Sequence, residues 1–258
     1  MADIHPTAVV SPRAELAAGV TVGALAVIGD DVVLGPGCRV GPHALVHGPT
    51  RMGRDNQIWQ FASIGDAPQD KKYGGEPTRL EIGDRNQFRE CCTVNRGTVT
   101  GHGVTRIGDD NLFMAYTHVA HDCVVGSCCV LANAVGLAGH VELDDWVVMG
   151  AYSGVHQFCK VGAHVFLANN AAVTRDVPPY LMVAGSPADP KGINSEGLKR
   201  RGFSADQIAN IKHGYRVLYR SRLKLEAAGA ELARLAATQP ELVPVVTFLP
   251  RITRSLIR

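Results

Sequence analysis

The chain has 258 residues, enough for a substantial core in one large domain or two smaller ones. Aromatic residues make up only 6% while Gly, Val and Ala are plentiful, a balance that suits many short strands and tight turns better than a helical bundle. The formal net charge of +2 argues against nucleic acid as a partner, because phosphate-tracking proteins carry a strong basic excess.

The N-terminus, Met1 to Pro6, has no basic segment leading into an apolar one, so no signal peptide is expected there. No stretch approaches the roughly 20 apolar residues of a membrane span, and a soluble, cytoplasmic protein is the expectation. From Ile4 onward an apolar residue recurs every sixth position, through Val10, Leu16, Val22 and Ile28 to Ile64. Ile82, Phe88 and Val94 keep that phase after a gap. A second series, displaced by one residue, runs from Ile107 through Phe113, Val119, Val125, Leu131 and Leu137 to Val173. A period of six fits neither a helix nor a long alternating strand. It fits very short strands joined by corners, three to a coil of a parallel β-helix, with each residue lying about 4.8 Å from the one eighteen positions on. The apolar rungs point inward, and each contributes about 1.5 to 3 kcal/mol of transfer energy, an upper bound. Gly follows the rung at positions 23, 29, 35, 41 and 53 among others, where it is expected to supply the backbone angles of a sharp corner.

Cys38, Cys92, Cys123, Cys129 and Cys159 all stand two residues before a rung, as Val20, Ala26 and Ala44 do, and read as small core fillers. Cys91 and Cys128 are left over. A disulfide framework is not expected, and no Cys-x-x-Cys pair suggests zinc. Two polar excursions, Asp66 to Arg79 and Asn95 to Arg106, interrupt the repeat, and excursions of this length from a regular scaffold commonly carry function. The pattern fades after Val173. A boundary is expected near residue 190, with residues 1–190 as the catalytic coil and 191–258 as a C-terminal helical domain. There, Ser204-Ala205-Asp206-Gln207 reads as a capping box opening a helix to about Arg220. Leu223 to Thr238 reads as a second helix, with one or two more after Pro240. From Lys199 to Arg258 twelve Lys/Arg stand against four Asp/Glu, so this tail carries +8 and the preceding body −6. A basic tail on an acidic body points to an anionic partner.

Eighteen-residue stacking gathers polar residues that are distant in sequence. His121 falls over Gly139 and then Gln157, Asp122 over His140 and then Phe158, with His118 and His156 alongside. Three readings follow from the residue types. A neutral His held by a carboxylate is a general base near neutral pH, and Gly139 leaves room for substrate and an N–H for an oxyanion. Several His could instead bind zinc. They could also be surface residues filling a subunit interface. Asp70 and Lys72, and separately Asn194, Glu196, Arg200 and Arg201, are weaker candidates, the paired Arg suiting a pyrophosphate.

The ordered combination of His118-Val119-Ala120-His121-Asp122-Cys123, Leu137-Ala138-Gly139-His140, Val155-His156-Gln157-Phe158, Gly75-Glu76-Pro77-Thr78 and Glu196 to Phe203 resembles the bacterial UDP-N-acetylglucosamine O-acyltransferases of lipid A biosynthesis. The resemblance spans the whole chain. It implies a left-handed β-helix with a small helical C-terminal domain, a homotrimer, and transfer of a (3R)-hydroxyacyl chain from acyl carrier protein to the 3-hydroxyl of UDP-N-acetylglucosamine. It implies no metal and no cofactor beyond the carrier thioester. By matching motif, His121 is the implied base, Asp122 its orienting partner and Gly139 the oxyanion donor. Asp70, Lys72 and His118 are implied to hold the sugar, with His140, His156 and Gln157 around sugar and acyl group. Asn194, Glu196, Arg200 and Arg201 are implied at the UDP end, and acyl carrier protein at the basic tail. The chain departs from the family at Asn169, where Gly often forms the floor of the acyl groove. The larger side chain implies a shorter acyl group. Asn95 also replaces a frequent His. Two other chemistries use similar scaffolds: N-acylation of a 3-amino UDP-sugar, and a zinc-dependent carbonic anhydrase needing three converging His.

Overall fold

The computed structural model describes all 258 residues. From Asp3–Ile4 to Ala172–Val173 the chain forms two- to four-residue strands that pass in rotation through three sheets. All pairings within this coil are parallel. The rung is the second residue of each two-residue strand. Val119 pairs with Leu137, Leu137 with Val155 and Val155 with Val173, which is the eighteen-residue stacking read from the sequence.

Most rungs lie in one apolar column, together with Cys38, Cys92, Cys123, Cys129 and Cys159. Only the first coil is open, its Ile4 rung being 42% exposed at the N-terminal end of the prism. All seven cysteines are free.

The corners differ from the sequence expectation. Backbone with positive φ falls three residues after most rungs, and from Leu25 to Asn170 ordinary L residues carry it at every such position but Gly37, among them Asp122 and His140. Most glycines that follow the rungs have ordinary φ; Gly65 is an exception. Glycine is required there by packing between coils: a Cβ on Gly35 would lie 2.5 Å from the Gly53 carbonyl oxygen. Left-handed φ costs an L residue roughly 1–2 kcal/mol, so neighbouring coils must enforce the corner conformation.

Both excursions leave the same corner, between the second and third sheets. They lengthen the coil without disturbing its core, since Ile58 still pairs with Phe88 and Phe88 with Phe113. Beyond Val173, Leu181–Ala184 extends the first sheet and turns back antiparallel into Asp189–Ile193, a hairpin the repeat does not foreshadow. Four helices follow: α1 (Ser195–Arg200), α2 (Ala205–Arg220), α3 (Leu225–Ala236) and α4 (Val243–Phe248). The Ser204–Gln207 capping box opens α2 as its sequence indicates, whereas α1 was not foreseen. The helices share a second core around Leu198, Ile211, Leu232 and Leu242. The C-terminal segment then returns to the coil. Asp176, fully buried, accepts the backbone N–H groups of Lys160, Thr253 and Arg254, and Ile257 joins the coil core. No helix is long and apolar enough to cross a membrane.

Candidate active site

The corner between the second and third sheets carries, in successive coils, the two excursions, then His121–Asp122, then Gly139–His140, then His156 to Phe158. His121 Nδ1 lies 2.9 Å from Asp122 Oδ2. The hydrogen bond to an anionic acceptor puts the Nδ1 proton on the carboxylate side and leaves Nε2 as the basic nitrogen. Nε2 faces Gly139, where an added Cβ would lie 2.7 Å from it, so only glycine leaves this ring its place. The Gly139 N–H donates to no protein acceptor.

Asp122 is 1% exposed, and its two oxygens accept four hydrogen bonds. Oδ2 receives His121 Nδ1, the Thr98 hydroxyl at 2.7 Å and the Thr98 N–H at 3.0 Å, while Oδ1 receives the His102 N–H at 2.8 Å. Burial alone would push this carboxyl up. The hydrogen bonds from Thr98 and His121 outweigh that penalty and hold it below the usual carboxylate range. Thr98 and His102 belong to the second excursion, which sequence reasoning marked as functional without singling them out. Their part emerges only from the fold.

His140 stands with its ring centroid 5.1 Å from that of His121 and stacks on Phe158 at 4.4 Å. Burial pushes it down, and Asp122 and Asp70 only partly offset this, so it is neutral near pH 7. His118, on the strand leading into the corner, meets the Thr93 hydroxyl at 2.7 Å and is also pushed down by burial. His156 and Gln157 are exposed at the rim. In the first excursion, Asp70 accepts the Lys72 N–H, and the Lys72 side chain is exposed. Arg96 ties the two excursions together through the Gly65 carbonyl at 2.6 Å and the Tyr73 hydroxyl at 3.1 Å. Asn95 does the same through the Ala67 carbonyl.

The remaining candidates lie elsewhere. Asn194 caps α1 and donates to the His164 carbonyl at the corner between the third and first sheets. Arg201 is half-buried there, its guanidinium over Trp146 and 3.2 Å from His164 Nδ1. Burial, then the Arg201 charge, pushes His164 down to about 4, so its ring stays neutral beside the guanidinium. Glu196 pairs with Lys199, and Arg200 is exposed. Asn169 is exposed at the third corner, between the first and second sheets, with its amide over Gly150. A six-residue face spans at most about 20 Å, so these groups and His121 occupy different edges of one prism.

A metal is the other chemistry open to this cluster, since ligand atoms of His121, Asp122 and His140 lie within 4.8 Å of one another. The donor set does not suit zinc. Asp122 Oδ2, the oxygen nearest both histidines, already accepts three hydrogen bonds and is poorly placed to give a lone pair to an ion.

The chain is similar to known proteins along its whole length. Residues 13–48 and 104–139 match the bacterial transferase hexapeptide (six repeats) family, and residues 176–257 match domain 2 of UDP-N-acetylglucosamine O-acyltransferase. The acyl-[acyl-carrier-protein]–UDP-N-acetylglucosamine O-acyltransferase of Herminiimonas arsenicoxydans is 53% identical over 262 residues, covering 100% of both chains. That of Thiobacillus denitrificans is 54% identical over 258 residues, again covering 100% of both. This chain belongs to the UDP-N-acetylglucosamine O-acyltransferase family. The solved acyltransferase of Francisella novicida superposes with a TM-score of 0.97 at 43% identity, covering 99% of this chain and 94% of that one. That of Moraxella catarrhalis gives 0.97 at 41%, covering 99% of each. The coil is accordingly the left-handed β-helix of this acyltransferase family.

Proposed function

We propose that this chain transfers a (3R)-3-hydroxyacyl group from acyl carrier protein to the glucosamine 3-hydroxyl of UDP-N-acetylglucosamine, the first step of lipid A synthesis. The single observation that carries the chemistry is the His121 ring, with Nδ1 tied to Asp122 and Nε2 beside Gly139, whose N–H has no protein partner. In this mechanism Nε2 takes the proton of the 3-hydroxyl while that oxygen attacks the thioester carbonyl carbon. The C–O bond forms, the carbonyl π electrons move onto oxygen, and Gly139 N–H donates to the resulting oxyanion. The carbonyl re-forms, the C–S bond breaks, and the departing thiolate takes the proton from Nε2. No acyl-enzyme is needed. Cys123, the thiol next to Asp122 in the chain, is a core group whose burial pushes it up to about 12, and the Thr98 hydroxyl is occupied with Asp122. This mechanism uses no metal or further cofactor, in keeping with the three hydrogen bonds that already occupy Asp122 Oδ2.

In this reading Asp70, Lys72 and His118 hold the sugar, and His140, His156 and Gln157 line the sugar and acyl groups. Asn194, Glu196, Arg200 and Arg201 meet the UDP end, and Asn169 limits acyl length. Because these sets lie on different corners of one coil, a neighbouring chain must supply the missing edge, which supports a homotrimer with its sites between subunits. The tail's charge of +8 suits an acidic carrier protein. Seven unpaired cysteines suit the cytoplasm.

The test is His121→Ala. Turnover should fall by about a thousandfold while sedimentation and thermal melting match the parent chain. Near-normal turnover would refute the assignment.

A further inference from the structure

The second excursion does more than border the site. Thr98 is 2% exposed, and its hydroxyl lies 2.7 Å from Asp122 Oδ2, the same oxygen that receives His121 Nδ1. The Thr100 hydroxyl lies 3.2 Å from that of Thr98 and completes a directed chain, in which Thr100 donates to Thr98 and Thr98 to Asp122. The backbone around it is shaped to the carboxylate: Thr98 and His102 both aim N–H groups at it, and a Cβ on Gly101 would overlap it. The Asp122 N–H is held in turn by the Thr105 hydroxyl at 2.8 Å. Residues 98 to 105 thus hold the carboxylate from the side opposite His121 and His140.

We infer that Thr98 is a positioning residue of the acyltransferase, its hydroxyl sharing the Asp122 charge with His121 and so setting how strongly the base holds a proton. The inference rests on His121 being the base. The sign follows from the shared oxygen. While Thr98 donates, part of the charge on Oδ2 is drawn away from His121. Removing that donor leaves Oδ2 a stronger acceptor, and His121 then keeps its proton to higher pH. The other titratable groups facing the pair are His140, with Nε2 3.9 Å from Oδ2, then His118, His102 and, through His140, Asp70. Changing Thr98 leaves all of them in place.

Thr98→Val keeps the shape and the backbone N–H but deletes the hydroxyl, and Thr98→Ser restores it. In the full-length chain, the acid limb of kcat/KM for Thr98→Val should move to higher pH by about half a unit. Its plateau kcat should fall about tenfold, with KM for the sugar nucleotide unchanged within about twofold. Thr98→Ser should return both to the parent values. Histidine NMR titration without substrate should show the His121 ring of Thr98→Val losing its proton at higher pH than in the parent chain. That measurement is independent of any acyl transfer, so it decides the role of Thr98 even if the proposed reaction fails. Should Thr98→Val melt early, Thr98→Ala carries the same expected sign. An unmoved His121 titration, or equal losses in the Val and Ser variants with the parent pH profile, would overturn the inference and leave Thr98 a structural residue.

Discussion

At Gly139 a single hydrogen atom separates a seated His121 ring from a displaced one. The residue has ordinary φ, so its backbone accepts alanine without strain, yet the new Cβ would lie 2.6 Å from His121 Cε1. Gly139→Ala should therefore melt close to the parent chain, while the ring turns away from the proposed oxyanion donor and kcat falls about a hundredfold. A large loss of melting temperature with retained kcat would contradict this. His121 and Asp122 were legible as a pair because they are neighbours in the chain and fall on a corner rather than a rung. Thr98 was not. A threonine two dozen residues upstream carries no local mark of the carboxylate it will meet, and only the course of the excursion joins them.

Among the elements, the C-terminal segment depends on one carboxylate. Asp176 receives three backbone N–H groups from two distant stretches, 2.8 Å from Lys160, 2.7 Å from Thr253 and 2.9 Å from Arg254. Asp176→Ala would leave those donors unpaired in a buried place. It should cost about 3 kcal/mol and release the segment bearing Leu256 and Ile257. Thermal melting and hydrogen exchange at the Ile257 N–H, which is bonded to the Asp176 carbonyl, would check this. The strands themselves were readable because a period of six admits so few backbone paths. The corner conformations were misassigned to glycine because both features recur with the same period, and the repeat alone does not say which position bears the unusual φ. The hairpin at Leu181–Ala184 and Asp189–Ile193, and helix α1, escaped because each is a single non-repeating element.

The whole molecule is an acidic coil with a basic helical end, and the carrier protein is expected to find that end by long-range attraction. Its dissociation constant should rise as ionic strength goes from 0.01 to 0.15 M, where the screening length shrinks from about 30 Å to about 8 Å. Titration calorimetry at several salt concentrations measures this, and salt-independent binding would exclude the basic tail as the docking surface. By itself the sequence determined the coil, its core and the residue types of the reactive corner, because a repeat places every residue relative to every other by counting. Tertiary structure alone decided that both excursions leave that same corner, that residues 98 to 105 hold Asp122, and that the Asn194 to Arg201 segment stands on a different edge from His121. The physical reason is that periodicity fixes positions along and around the coil, whereas departures from it go where packing and buried hydrogen bonds direct them.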